Sequence, residues 1–231
     1  MMDISTPRGR IVAAALRIAA ERAWPGITLR DIAEAADLTL SDLAREFAGK
    51  SQILVAFNRA IDDAVLRNAP KPSAGQTARD SLFEAMMARF DALTPYRAAV
   101  RSIVAEPVAD GRLLLSLLTS QRWMLAAAGI DTDGVRGKLR IAGLASVYAA
   151  VFRTWLHDDD PGLARTMAAL DRRLRSGERT LQSVERACAG AGRAKAAACE
   201  LLRGLRSRTA RGAAAETGPA DAGPPAAPAA G

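Results

Sequence analysis

Between Thr28 and Phe47 the chain has room for two short helices with almost nothing between them, and no other stretch constrains the fold as much. Thr28 is placed to N-cap a helix over Leu29–Ala36 with Asp31 at its third position, a capping-box-like start. Asp37-Leu38-Thr39 is a tight joint, after which Thr39 or Ser41 caps a second short helix ending near Phe47. Ile32, Ala33 and Ala36 face inward from the first helix, and Leu38, Leu43 and Phe47 meet them. Two short helices fixed at an angle by a tight turn spell a helix-turn-helix. One is small enough for the DNA major groove and the other braces it across the backbone.

The rest of the sequence predicts more helix. Residues 8–22 carry an apolar stripe of Ile11, Ala15, Ile18 and Ala19 with Leu16, broken by Trp24-Pro25-Gly26. Gly49 precedes an amphipathic helix from about Lys50 to Leu66, with Ile53, Leu54, Phe57, Ile61 and Val65 on one face. Further helices are expected near 77–93, 95–105, 110–128, 135–157 and 161–188, the last started by Asp160 as N-cap and Pro161 at the first position. Composition agrees with an all-α protein: 51 alanines and 25 leucines stand against ten valines and ten isoleucines, too few β-branched residues for sheets. Pro70 to Gly75 is the clearest internal linker. It divides a helix-turn-helix domain over 1–69 from a larger helical domain over 76–211. The Ala/Pro/Gly-rich stretch 212–231 reads as a disordered tail.

Several chemistries find no support. Two cysteines, Cys188 and Cys199, make neither a disulfide framework nor a zinc module, and on one helix they stand too far apart to bond each other. His157 sits beside Asp158, Asp159 and Asp160, but a single histidine among turn acids reads as a solvated cap rather than a metal site. No phosphate loop or nucleophile with a serving base is present, so a non-enzyme without cofactor or metal is expected. Met1 to Pro7 hold no apolar leader, and Ile141 to Phe152 is too short to span a bilayer, which suggests a soluble cytoplasmic protein. The net charge of +7 invites nucleic acid, yet residues 1–69 carry nine basic and nine acidic side chains. The excess lies in residues 171–212, with eleven basic against four acidic residues. That stretch is readable as a dimer flank or a surface for anionic membranes.

The stretches Arg10 to Ala15, Ile27 to Ala36, Leu43 to Phe47 and Lys50 to Leu54 together resemble the TetR family of bacterial regulators. The resemblance implies an all-helical homodimer, with an N-terminal domain for double-stranded operator DNA and a larger domain that dimerises and often binds a small ligand. It implies pairing through the helices near 135–157 and 161–188. Residues expected at the DNA are Thr28, Arg30, Thr39, Leu40, Ser41, Asp42, Arg45 and Lys50, with specificity on Thr39, Ser41, Asp42 and Arg45. The chain departs from the family at the turn, where Asp37 replaces the usual Gly, and at Ala44, where an aromatic usually contacts phosphate.

In the larger domain Phe83, Met86, Met87, Phe90, Trp123, Met124, Tyr148, Phe152 and Trp155 either line an apolar pocket for a hydrophobic effector or form plain core. Ser81 to Arg97, and Trp155 through Leu174, are also similar to the C-terminal domain of ubiquinone-biosynthesis accessory proteins of TetR-like fold, which bind lipid. That resemblance implies an alternative: a lipid- or isoprenoid-binding accessory protein with a vestigial helix-turn-helix, drawn to a membrane surface.

Overall fold

The computed structural model describes residues 3–69, 75–105 and 110–177. The elements are helical: α1 (Pro7–Glu21), α2 (Leu29–Ala35), α3 (Leu40–Glu46), α4 (Lys50–Asn68), α5 (Ala78–Leu93), α6 (Arg97–Ile103), α7 (Gly111–Ala127) and α8 (Gly134–Trp155). A further helical run, α9, is described over 164–177. Among the described residues there is no strand.

Helix starts follow the capping signals. Thr6, Thr28, Thr39 and Thr77 each accept a backbone N–H from the first turn of the helix that follows, an interaction worth about 1 kcal/mol apiece. The end of α2 explains the joint. The Asp37 N–H donates to the Glu34 carbonyl at 3.1 Å and the Leu38 N–H to the Ala33 carbonyl at 3.0 Å, the two bonds of a Schellman motif. That motif needs a left-handed residue, and Asp37 supplies it at φ 54. Aspartate tolerates this region better than most residues, which is how the chain keeps the turn without glycine.

The buried residues form one hydrophobic cluster running from Ile11 on α1 to Leu174 on α9. It is continuous across the boundary expected at 70–75, because α1 packs on α6 while α4 runs on to pack against α5 and α7. Two expected starts are shifted. The helix expected over 95–105 is preceded by a 3-10 turn, Thr94–Tyr96, and is regular only over Arg97–Ile103. The helix expected from 161 begins at 164. Leu163 is buried with φ 53, which interrupts the helix after Pro161, yet Asp160 still caps it by accepting the Ala164 N–H at 2.9 Å. The continuation to 188, both cysteines, the basic residues beyond 177 and the 212–231 tail lie outside the described residues.

Candidate functional site

The second helix of the pair, α3, is held by its own side chains. Thr39 Oγ1 accepts the Asp42 N–H at 3.1 Å and donates to Asp42 Oδ2 at 2.6 Å, while the Thr39 N–H donates to the same oxygen at 3.1 Å. Thr28 and Asp31 repeat this box at the head of α2. These hydrogen bonds hold both carboxyls below the usual aspartate range: the Thr28 backbone N–H leads at Asp31 and the Thr39 hydroxyl at Asp42. The box changes the electrostatics of α3. The Asp42 carboxylate turns back to its N-cap and Arg45, at 3.2 Å, and Glu46 lies 3.6 Å from Arg8. Both acids of the helix therefore have protein partners, and the repulsion they would direct at phosphate is reduced.

What α3 presents outward is Leu40, Ser41, Ala44 and Arg45, all exposed, while Leu43 and Phe47 are buried beneath. The Arg45 side chain is 76 % exposed, and its pair with Asp42 is a surface pair of small worth, so the guanidinium is free to exchange partners. Arg30 and Thr28 stand exposed on α2 and its cap. The structure thus places Thr39, Leu40, Ser41, Asp42 and Arg45 on α3 and its N-cap, and Thr28 and Arg30 at the start of α2.

Lys50 stands apart from this group. Its ammonium donates to the Trp24 carbonyl at 2.6 Å and the Ile27 carbonyl at 2.7 Å, and lies 4.4 Å from the centre of the Trp24 ring. Burial pushes its pKa down from the usual lysine value, with Asp31 pulling partly back. Two of its three donors are spent bracing the turn that leads into α2. The sequence pattern did not single out Arg8 and Arg10 on α1. Arg8 donates to the Glu46 carbonyl at 3.1 Å and sits over the Phe47 ring, and the Arg10 charge helps to lower the Asp42 pKa. Their nearness to α3 is a product of tertiary packing.

In the body, the residues expected to line a pocket are packed together. Phe90, Tyr148, Phe152 and Trp155 form a chain of ring contacts with centroids 5.4–5.9 Å apart, and Met86, Met87 and Met124 are buried with them. Phe83 and Phe152 are partly buried against the same cluster. Trp123 is 49 % exposed and faces elsewhere. It lines a groove of about 870 Å³ between α4 and α7 whose other walls include Gln52, Val55, Arg59, Asp63, Leu66 and Arg112.

Beside that groove lies a buried polar network. Arg89 is 1 % exposed, pairs with Asp62 Oδ1 and donates to Asn58 Oδ1 at 2.6 Å. Asn58 Nδ2 donates to Ser116 and Ser120 at 2.9 and 2.8 Å, and Ser120 donates to Asp62 Oδ2 at 2.6 Å. Burial opposes the Arg89 charge, but Tyr148 and Asp62 outweigh it and hold the pKa above the usual arginine value. The signal was present in the sequence: Asn58 and Asp62 fall on the apolar stripe of α4, and Arg89 falls on that of α5, at i, i+4 positions where core is expected.

The acidic cluster after α8 is used structurally. Asp158 is buried and accepts from the Thr166 N–H and hydroxyl at 2.8 and 2.7 Å. The imidazole of His157 lies 3.0 Å from the Arg153 carbonyl. No helix among the described residues is long and apolar enough to cross a membrane.

No family model matches the chain, and no curated protein matches its sequence. Solved structures do match its shape. A TetR transcriptional regulator from Nitrosomonas europaea superposes with a TM-score of 0.60 at 21% identity, covering 74% of this chain and 97% of the other. One from Rhodococcus sp. RHA1 gives 0.58 at 17% identity over 76% and 97%, and a TetR-family regulator from Streptomyces coelicolor gives 0.53 at 16% over 80% and 84%. At these identities the likeness is one of architecture: the chain has the all-helical TetR fold.

Proposed function

We propose that the chain is a homodimeric helix-turn-helix regulator of transcription, a cytoplasmic repressor released from its operator by a small effector. In this reading residues 1–69 place α3 in the major groove of double-stranded DNA. Residues 76–211 dimerise and take up the effector, and 212–231 form a tail. The observation that supports it is the outward face of α3. Leu40, Ser41, Ala44 and Arg45 are exposed on a helix whose two acids are turned to protein partners.

Arg45 and Ser41 are assigned to base edges, and Arg30 with Thr28 to phosphate. Dimerisation is assigned to α8 and α9. Val135, at 84 % exposure, Leu139 and Met167 are exposed apolar residues there, and Ala142, Gly143, Ser146 and Ala149 leave the adjoining surface of α8 flat.

The test is selection from a random duplex library with the full chain. A two-fold-symmetric site should be enriched. Arg45→Ala should cost about 1–3 kcal/mol and relax the preference at one position. Arg30→Ala should weaken all sequences alike and reduce the salt slope by about one. If no sequence is enriched and both variants bind as the parent does at low salt, the regulator reading is wrong.

A further inference from the structure

Outside the head, a second candidate site lies in the groove between α4 and α7. The two helices run parallel and in step, since Asn58 bonds Ser116 and Asp62 bonds Ser120 at the same separation of 58 residues. The groove therefore has a chemical polarity that follows the helix direction. Towards the N-terminal end of the pair lie Gln52 and Arg112, with Arg8 from α1, followed by Val55 and Leu115. Arg59, Ser116 and Thr119 lie midway, and Leu66 on α4 and Trp123 on α7 lie towards the C-terminal end. From Arg112 to Trp123 the helix rises roughly 16 Å.

The charges favour an anion. Asp62 is paired with Arg89 and accepts from Ser120 in the buried network, which leaves Asp63 as the other carboxylate of a groove lined by three guanidinium groups. Arg8 is shared with Glu46 at 3.6 Å and Arg112 lies near the Asp110 carboxyl, so Arg59 is the most available of the three. Guanidinium groups bind oxyanions in forked geometry and hold them more strongly than a point charge does. At the other end, a half-exposed tryptophan, Trp123, is apolar surface left in water.

We propose that this groove binds a monomeric, single-chain amphiphile, its anionic head held between Arg112 and Arg59 and its tail running on to Leu66 and Trp123. A ligand with only the apolar part would leave the guanidinium groups unanswered. A simple inorganic anion would leave the Trp123 end wet. The inference does not require that the chain bind DNA.

Trp123 reports on the site, because Trp24 and Trp155 are buried. Dodecanoate, kept below its micelle concentration, is titrated into the full chain while tryptophan emission is followed. The expected result is a saturable shift to shorter wavelength that disappears in Trp123→Phe. Dodecanol should bind at least tenfold more weakly. The double variant Arg59→Ala/Arg112→Ala should weaken dodecanoate by at least tenfold, while Arg30→Ala on the head should leave it unchanged. The proposal is overturned if dodecanol binds as well as dodecanoate, or if inorganic phosphate alone saturates the same signal. It is equally overturned if the signal persists in Trp123→Phe, if the double variant binds normally, or if only anionic phospholipid vesicles, and not the monomer, are bound.

Discussion

Replacing Lys50 by methionine separates two roles for this residue, a contact to DNA phosphate and a brace inside the head. Methionine keeps most of the stem that lies against Trp24 and removes the ammonium. In the structure that ammonium serves the Trp24 and Ile27 carbonyls at 2.6 and 2.7 Å, between two buried side chains. Each charge-assisted bond is worth about 1.5–3 kcal/mol net, and the desolvation that lowers the lysine pKa subtracts from the pair, leaving about 2–3 kcal/mol. For a chain of this length that loss corresponds to a fall in melting temperature of roughly 4–12 °C. The assay is urea and thermal unfolding followed by circular dichroism, with DNA affinity measured across a salt series under conditions where the variant is folded. The brace predicts a clear loss of stability with an unchanged salt slope. A variant as stable as the parent, whose salt slope falls by about one, would refute the reasoning and assign Lys50 to the phosphate backbone.

Arg89→Met alone should destabilise by about 3–5 kcal/mol in urea, because it strands the buried Asp62 carboxylate, whereas adding Asp62→Leu should recover at least half of the loss. A double variant no better than the single one would show that the network is not the source. At Asp37 the left-handed backbone makes a branched side chain costly: Asp37→Val should lose about 1–2 kcal/mol and Asp37→Gly should be neutral or slightly stabilising, both read from denaturation midpoints. Equal stability of the valine variant would argue against the Schellman turn. Asp31 and Asp42 are held below the aspartate value of about 3.9, so their contribution is complete above that pH and is lost as pH falls through the lower folded-state values. Acid unfolding monitored by circular dichroism should therefore begin below about pH 4, and Asp42→Asn should weaken that dependence.

The head was legible because its determinants are local. Thr28 with Asp31 and Thr39 with Asp42 lie three residues apart, so the spacing alone predicts the boxes that the structure shows. The turn at Asp37 was visible as a position but not as a conformation, since aspartate marks several kinds of turn. The contacts of Lys50 inside the head were hidden. Its partners are backbone carbonyls more than twenty residues earlier, and a lysine at a helix start looks the same whether it faces a phosphate or folds back. The body was harder for a different reason. Methionines and aromatics at helical spacing suit a cavity wall and a filled core equally well. Ring contacts that close the Phe90–Trp155 cluster depend on how α5 and α8 meet. Conversely, Asp62 and Arg89 stood in plain view at core positions, and only their mutual pairing makes them tolerable there.

The head is also bound to the body more tightly than a linker at 70–75 suggests. The Ser102 hydroxyl on α6 accepts the Trp24 N–H and donates to the Arg22 carbonyl, both at 3.0 Å, so one side chain closes the end of α1 onto the turn before α2. From the same helix, Arg97 at its start donates to the Asp158 carbonyl and Arg101 in its last turn donates to that of Leu156, gripping the end of α8. Helix α4 meanwhile runs unbroken from the head into the body. A swing of the head about a flexible joint would break both Ser102 bonds and pull α4 away from α5 and α7. In the proposed dimer, then, the two recognition helices are expected to change spacing by tilting whole protomers across α8 and α9, with α4 and α6 moving as struts. A molecule wedged between α4 and α7 would act on one of those struts directly. This argues that the groove, rather than the closed aromatic core, is where binding has mechanical leverage on α3.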